Sequence, residues 1–131
     1  MVYDDEEGIL YVADTGTSRV LKIDTKGSVG AGYIDSWFQD GVFTEYTGST
    51  VEVVVGADVM SKPSGLALHD GILYVSDNAT GTLFAFDTDG FELARQTSNL
   101  GQGALGGITI GPDGMLYMVA ISQNQVVRLE P

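Results

Sequence analysis

Three near-copies of one short segment constrain this chain more than any other feature. They read Gly8-Ile9-Leu10-Tyr11-Val12-Ala13-Asp14, Gly71-Ile72-Leu73-Tyr74-Val75-Ser76-Asp77 and Gly114-Met115-Leu116-Tyr117-Met118-Val119-Ala120, and their starts lie 63 and 43 residues apart. The shorter period falls in the range of about 40–45 residues that a four-stranded propeller blade occupies. Each copy runs on into a second apolar stretch closed by an acid: Val20-Leu21-Lys22-Ile23-Asp24, Leu83-Phe84-Ala85-Phe86-Asp87 and Val126-Val127-Arg128-Leu129-Glu130. Ser64-Gly65-Leu66-Ala67-Leu68 and Gly106-Gly107-Ile108-Thr109-Ile110 precede the second and third copies, and Phe91–Thr97 follows the second. The unit therefore predicts strands A (64–69), B (72–77), C (82–87) and D (91–97), parted by turn pairs such as Asp70-Gly71 and Asp89-Gly90.

A half-exposed antiparallel strand alternates apolar and polar residues, and Ile72-Leu73-Tyr74-Val75 does not. Both faces of such a sheet must be covered, as they are when sheets stack face to face around an axis. Gly65 and Gly107 occupy matching places in strand A, which suits the innermost strand, where neighbouring blades crowd together. The 18 glycines and 3 prolines fit many short strands joined by tight turns. Hydrophobic residues at 44% against 18% charged mark a globular chain. The fold class expected is all-β: a β-propeller segment of two and a half to three four-stranded antiparallel blades. The blades span 1–55, 64–97 and 105–130.

Leu10-Tyr11-Val12-Ala13-Asp14-Thr15-Gly16-Thr17-Ser18-Arg19-Val20 resembles the NHL repeat, whose signature runs Tyr-Val-Ala-Asp-Thr-Gly-Asn-Asn-Arg-Val. Pro63-Ser64-Gly65-Leu66-Ala67 is similar to the opening of the next such repeat. The likeness covers most of the chain outside 28–50. It thins in the third copy, where Ala120 stands in place of Asp and Ser122-Gln123-Asn124-Gln125 in place of Thr-Gly-x-x-Arg. The resemblance also reaches the gluconolactonase and senescence-marker group of six-bladed propellers.

Closed propellers carry four to eight blades, so the expected partners are further blades. Either the chain is the tail of a longer propeller whose missing part supplies them, or a second copy completes a ring of about six. The excess length of the first interval sits between strands C and D, in 27–50, on the end opposite the B–C loops. It holds Tyr33, Trp37, Phe38, Phe43 and Tyr46, and Val42–Val51 reads as a hairpin with a Gly-containing turn. Packing of these aromatics on the propeller end is one reading. A docking platform for a partner or sugar, built on Trp37, Phe38 and Tyr46, is the other.

Asp14 and Asp77 close strand B and face the B–C loops, with Asn78 and Lys62 on the same end. Such an Asp bonds the backbone of its own turn, or it lines the channel mouth and binds a cation or hydroxyl-rich ligand. Asn78-Ala79-Thr80 is also an N-glycosylation sequon. His69 is the one histidine and the chain has no cysteine, so no His-rich or thiolate metal set exists within it. Asp87-Thr88-Asp89-Gly90-Phe91-Glu92 lacks the spacing of a calcium-binding EF-hand loop and matches Asp24-Thr25-Lys26-Gly27, so it reads as repeat turn chemistry. No metal ligand set is assigned, and a divalent cation such as calcium is the one cofactor these carboxylates could take.

A net charge of −12 repels phosphate backbones and anionic lipid, which excludes nucleic acid as a partner. No apolar run is long enough for membrane insertion. The acidic opening Met1-Val2-Tyr3-Asp4-Asp5 is no signal peptide. The lack of cysteine suits an extracellular or periplasmic protein, with a cytoplasmic one as the alternative. The function expected is a non-catalytic propeller scaffold that binds a protein or small ligand. The alternative is part of a metal-dependent lactonase or lyase propeller.

Overall fold

The structure, a computed structural model, describes residues 1–35 and 42–129. It is all-β, and it has the propeller-segment class that the repeat predicts. Strands β1 (Val2–Asp4), β2 (Ile9–Asp14), β3 (Arg19–Asp24) and β6 (Thr50–Val55) form a first antiparallel sheet in the order β1-β2-β3-β6. Strands β7 (Pro63–His69), β8 (Ile72–Asp77), β9 (Thr82–Asp87) and β10 (Glu92–Thr97) form a second in chain order. The third holds β11 (Leu105–Ile110), β12 (Leu116–Ala120) and β13 (Gln125–Leu129). Among the described residues no helix is long and apolar enough to cross a membrane.

Turn chemistry repeats with the strands. The glycine that opens each copy is left-handed: Gly8, Gly71 and Gly114 have φ of +68°, +73° and +76°. Asp70 shares that region at +48°, so Asp70-Gly71 makes the two-residue hairpin whose twist matches its strands. Four residues after the end of each strand B, Ser18, Gly81 and Asn124 are left-handed again and turn the chain into strand C.

Two cores lie between the sheets. Tyr11, Val20, Val55 and Met60 pack against Leu66, Leu73, Val75, Phe84 and Phe86. On the far face of the second sheet, Ala67, Tyr74 and Leu83 meet Leu105, Ile108, Leu116, Met118 and Leu129. The second sheet is thus covered on both sides, which is why its central strands are apolar without alternation. Each fully buried Leu, Val or Phe there contributes about 1.5–3 kcal/mol. A Cβ on Gly65 would lie 2.7 Å from the Ile108 nitrogen and 2.9 Å from the Gly106 oxygen, so strand A of one sheet runs against strand A of the next. Gly107 faces open space.

Two details differ from the sequence reading. First, residues 2–4 do make a strand A, paired Val2 to Tyr11 and Asp4 to Ile9, so the first sheet has all four strands. Second, Val42–Val51 is not a hairpin of its own. Strand β5 (Val42–Thr47) pairs with β4 (Val29–Asp35), while β6 pairs with β3. The insertion is therefore a separate β4–β5 ribbon entered at Gly27 and left at Gly48. The φ of Gly48 is +88°, and a Cβ there would lie 2.9 Å from the Gly27 oxygen, so the two passages touch at a narrow neck. The neck adjoins the A–B turn: the Thr25 N–H donates to the Gly8 oxygen, and Lys26 pairs with Glu7 at 3.5 Å.

Candidate functional site

Of the four polar residues singled out at the B–C end, Asp77 and Asn78 bond to the main chain of 61–62, which leads into β7 and includes Lys62, while Asp14 bonds within its own turn. Asp77 ends β8 and is fully buried. Its Oδ2 accepts the Ser61 N–H at 2.8 Å, and its Oδ1 accepts the N–H groups of Lys62 at 3.0 Å and Ala79 at 2.9 Å. Burial penalises the charge, but those main-chain donors outweigh it and hold the carboxyl below its ordinary range. The carboxylate thus ties the end of strand B to the segment that feeds strand A of the same sheet.

Asn78 carries the tie into the next sheet. Its N–H donates to the Lys62 oxygen at 2.9 Å, its oxygen accepts the Gly103 N–H at 2.7 Å, and its side-chain Nδ2 donates to the Leu105 oxygen at 2.6 Å. The sequon asparagine therefore spends its amide on the joint between the second and third sheets. Lys62 takes part through its main chain, and its exposed ammonium makes no ion pair with another described residue.

Asp14 occupies the equivalent position in the first sheet with a different set of partners. Its Oδ2 accepts the Thr17 hydroxyl at 2.5 Å and the Arg19 Nε at 3.0 Å. The Thr17 hydroxyl, followed by the Arg19 guanidinium, lowers this carboxyl's pKa. The neighbouring hydroxyls reach forward: Thr15 Oγ1 donates to the Pro63 oxygen at 2.7 Å and Ser18 Oγ to the Ser61 oxygen at 2.6 Å.

One joint is hence built twice. The residue after the strand-B aspartate, Thr15 or Asn78, donates to the carbonyl of the residue that opens strand A of the next sheet, Pro63 or Leu105. In the third copy Ala120 and Ile121 hold these positions, and neither side chain can form such a bond. Sequence reasoning missed Thr15 and Ser18. The signal was available in the polar residue that follows Asp14 and Asp77 in both copies. It also missed Ser76, a fully buried side chain whose Oγ accepts the Gly65 N–H and donates to the Gly106 oxygen, both at 2.9 Å.

Chemically, this end holds carboxylates whose acceptor capacity is used by main-chain or turn donors. No buried side-chain polar atom among the described residues lacks a partner. Among the described residues no group of three or more metal-ligating side chains comes together. At the opposite end Asp87 Oδ1 accepts the N–H groups of Asp89 at 3.0 Å and Phe91 at 2.8 Å, and Asp24 Oδ1 accepts that of Lys26 at 2.9 Å, both holding C–D turns. His69 is also at that end, 3.6 Å from the Asp70 carboxylate. Of the insertion aromatics, Tyr46 lies on β5 and is 66% exposed, while Trp37 and Phe38 lie outside the described residues. No family model matches the chain. No curated protein matches it either.

Proposed function

We propose that the chain is a segment of an NHL-type propeller that works as a non-catalytic scaffold for a protein or small ligand, with further blades as its partners. The observation that carries this reading is the use of Asp77, the most buried of the mouth carboxylates, as a main-chain anchor. A carboxylate already bonded to three N–H groups and held below its ordinary pKa is a poor general base and has little capacity left for a cation. The NHL assignment draws on the run Leu10–Val20, whose Asp14 and Arg19 form an ion pair at 3.0 Å across the B–C turn.

Calcium titration followed by calorimetry, paired with a lactone-hydrolysis assay on the same preparation, separates this scaffold from a metal-dependent lactonase or lyase. The scaffold reading expects no saturable site in the micromolar range and hydrolysis at the buffer rate. A stoichiometric ion together with turnover that Asp14→Asn abolishes would replace it with the enzyme reading.

A further inference from the structure

The geometry points to residues 28–49 as an appended arm, grafted into a C–D turn that is complete without it. The first sheet folds whether or not the arm is present. This goes beyond the scaffold reading and rests on the repeated sheets alone.

In the second sheet, residues 88–90 carry the chain from strand C to strand D, and the Asp87 N–H donates to the Phe91 oxygen at 2.9 Å across that turn. In the first sheet Asp24 and Thr50 are the paired residues at the same place. The connection differs, but the turn chemistry does not. The Asp24 carboxylate accepts the Lys26 N–H at 2.9 Å, as the Asp87 carboxylate accepts that of Asp89 at 3.0 Å. Thr25 is fixed from outside the arm, since its N–H and its hydroxyl both donate to the Gly8 oxygen. Joining Gly27 to Thr50 therefore gives Asp24-Thr25-Lys26-Gly27-Thr50, which aligns with Asp87-Thr88-Asp89-Gly90-Phe91 position by position.

Gly27 is the most specific sign of this. Its counterpart Gly90 is left-handed at φ +88°, a conformation that is costly for any residue with a Cβ. Gly27 is not left-handed in the present chain, and a Cβ there would meet only the Gly48 oxygen at 3.5 Å, an ordinary contact. The position holds the glycine that the short turn needs and the long connection does not.

The arm adds little to the sheet that carries it. Strands β4 and β5 pair with each other and with no other strand among the described residues, and no described residue of 28–49 joins either core. A two-stranded ribbon is marginal by itself in water, and a long connection makes the β3–β6 pairing costlier to close than a short one. The contribution of the arm lies outside the stability of the sheet, so the body can lose or exchange it unchanged.

The test compares the 131-residue chain with a variant lacking 28–49, both isotopically labelled. Amides of β2, β3, β6, β8 and β9 should stay protected from exchange in both, and the urea midpoint of the shortened chain should be no lower than that of its parent. Gly27→Ala is then placed in each. It should lower the midpoint of the shortened chain, where position 27 must turn left-handed, and leave that of the full chain unchanged. A lower midpoint on shortening, loss of β6 protection in the shortened chain alone, or an equal effect of Gly27→Ala in the two backgrounds overturns the arm and leaves the propeller reading standing. Loss of protection at β2, β3, β8 and β9 in the full chain removes both.

Discussion

Asp77 carries its charge where water does not reach, and it keeps that charge because the N–H groups of Ser61, Lys62 and Ala79 point at it. Asp77→Asn replaces one acceptor oxygen with an NH2 group that faces these donors, so at least one buried N–H loses its partner. The expected loss is about 3 kcal/mol at neutral pH, read from urea denaturation. Its pH dependence has a definite sign. The folded carboxyl titrates below its ordinary value, so its contribution is present above about pH 3.9 and is lost as pH falls through the folded value. The gap between wild type and Asp77→Asn should therefore narrow as pH falls below about 3.9 toward the folded value. A gap independent of pH would mean that packing, not charge, accounts for the loss. The sequence identified Asp14 and Asp77 as equivalent, because both end the same segment. It did not show that one would be buried under main-chain donors and the other would face Thr17 and Arg19. That difference arises from the main-chain N–H groups of Ser61 and Lys62, which point at Asp77 and not at Asp14.

Crowding between A strands makes Gly65 and Gly107 an informative pair. Gly65→Ala sets a Cβ against the main chain of the adjacent sheet, where no side chain can move aside, and should cost about 1–3 kcal/mol. Gly107→Ala meets nothing within 4 Å and should stay within about 0.5 kcal/mol of wild type. Denaturation midpoints of the two variants check this, and equal losses would contradict the face-to-face arrangement. Strands β7, β8 and β9 were legible because apolar runs without alternation lie between turn residues such as Asp70-Gly71. Strand β5 was legible as extended chain, but its partner was not. Gly48 reads locally as a hairpin turn between 42–47 and 50–55, yet β3 competes for β6 and wins, because that pairing completes a four-stranded sheet. The short strand A of the first sheet had too few residues to show any periodicity.

At the scale of the whole molecule, the second sheet is covered on both faces and its neighbours on one. Tyr3, Val51 and Val53 remain more than half exposed on the outer face of the first sheet, and Ile121 and Val126 on the third. Apolar faces of this kind are surfaces for association, while the net charge of −12 opposes random aggregation. The central claim is that three repeat-derived sheets stack face to face. Methyl and amide nuclear Overhauser contacts measured on the labelled chain test it most directly. The account expects cross-peaks joining Val20 and Tyr11 to Phe84 and Leu66, and Gly65 to Ile108. Sheets with internal contacts but no cross-peaks between them, or sequential helical contacts through the repeats, would contradict it.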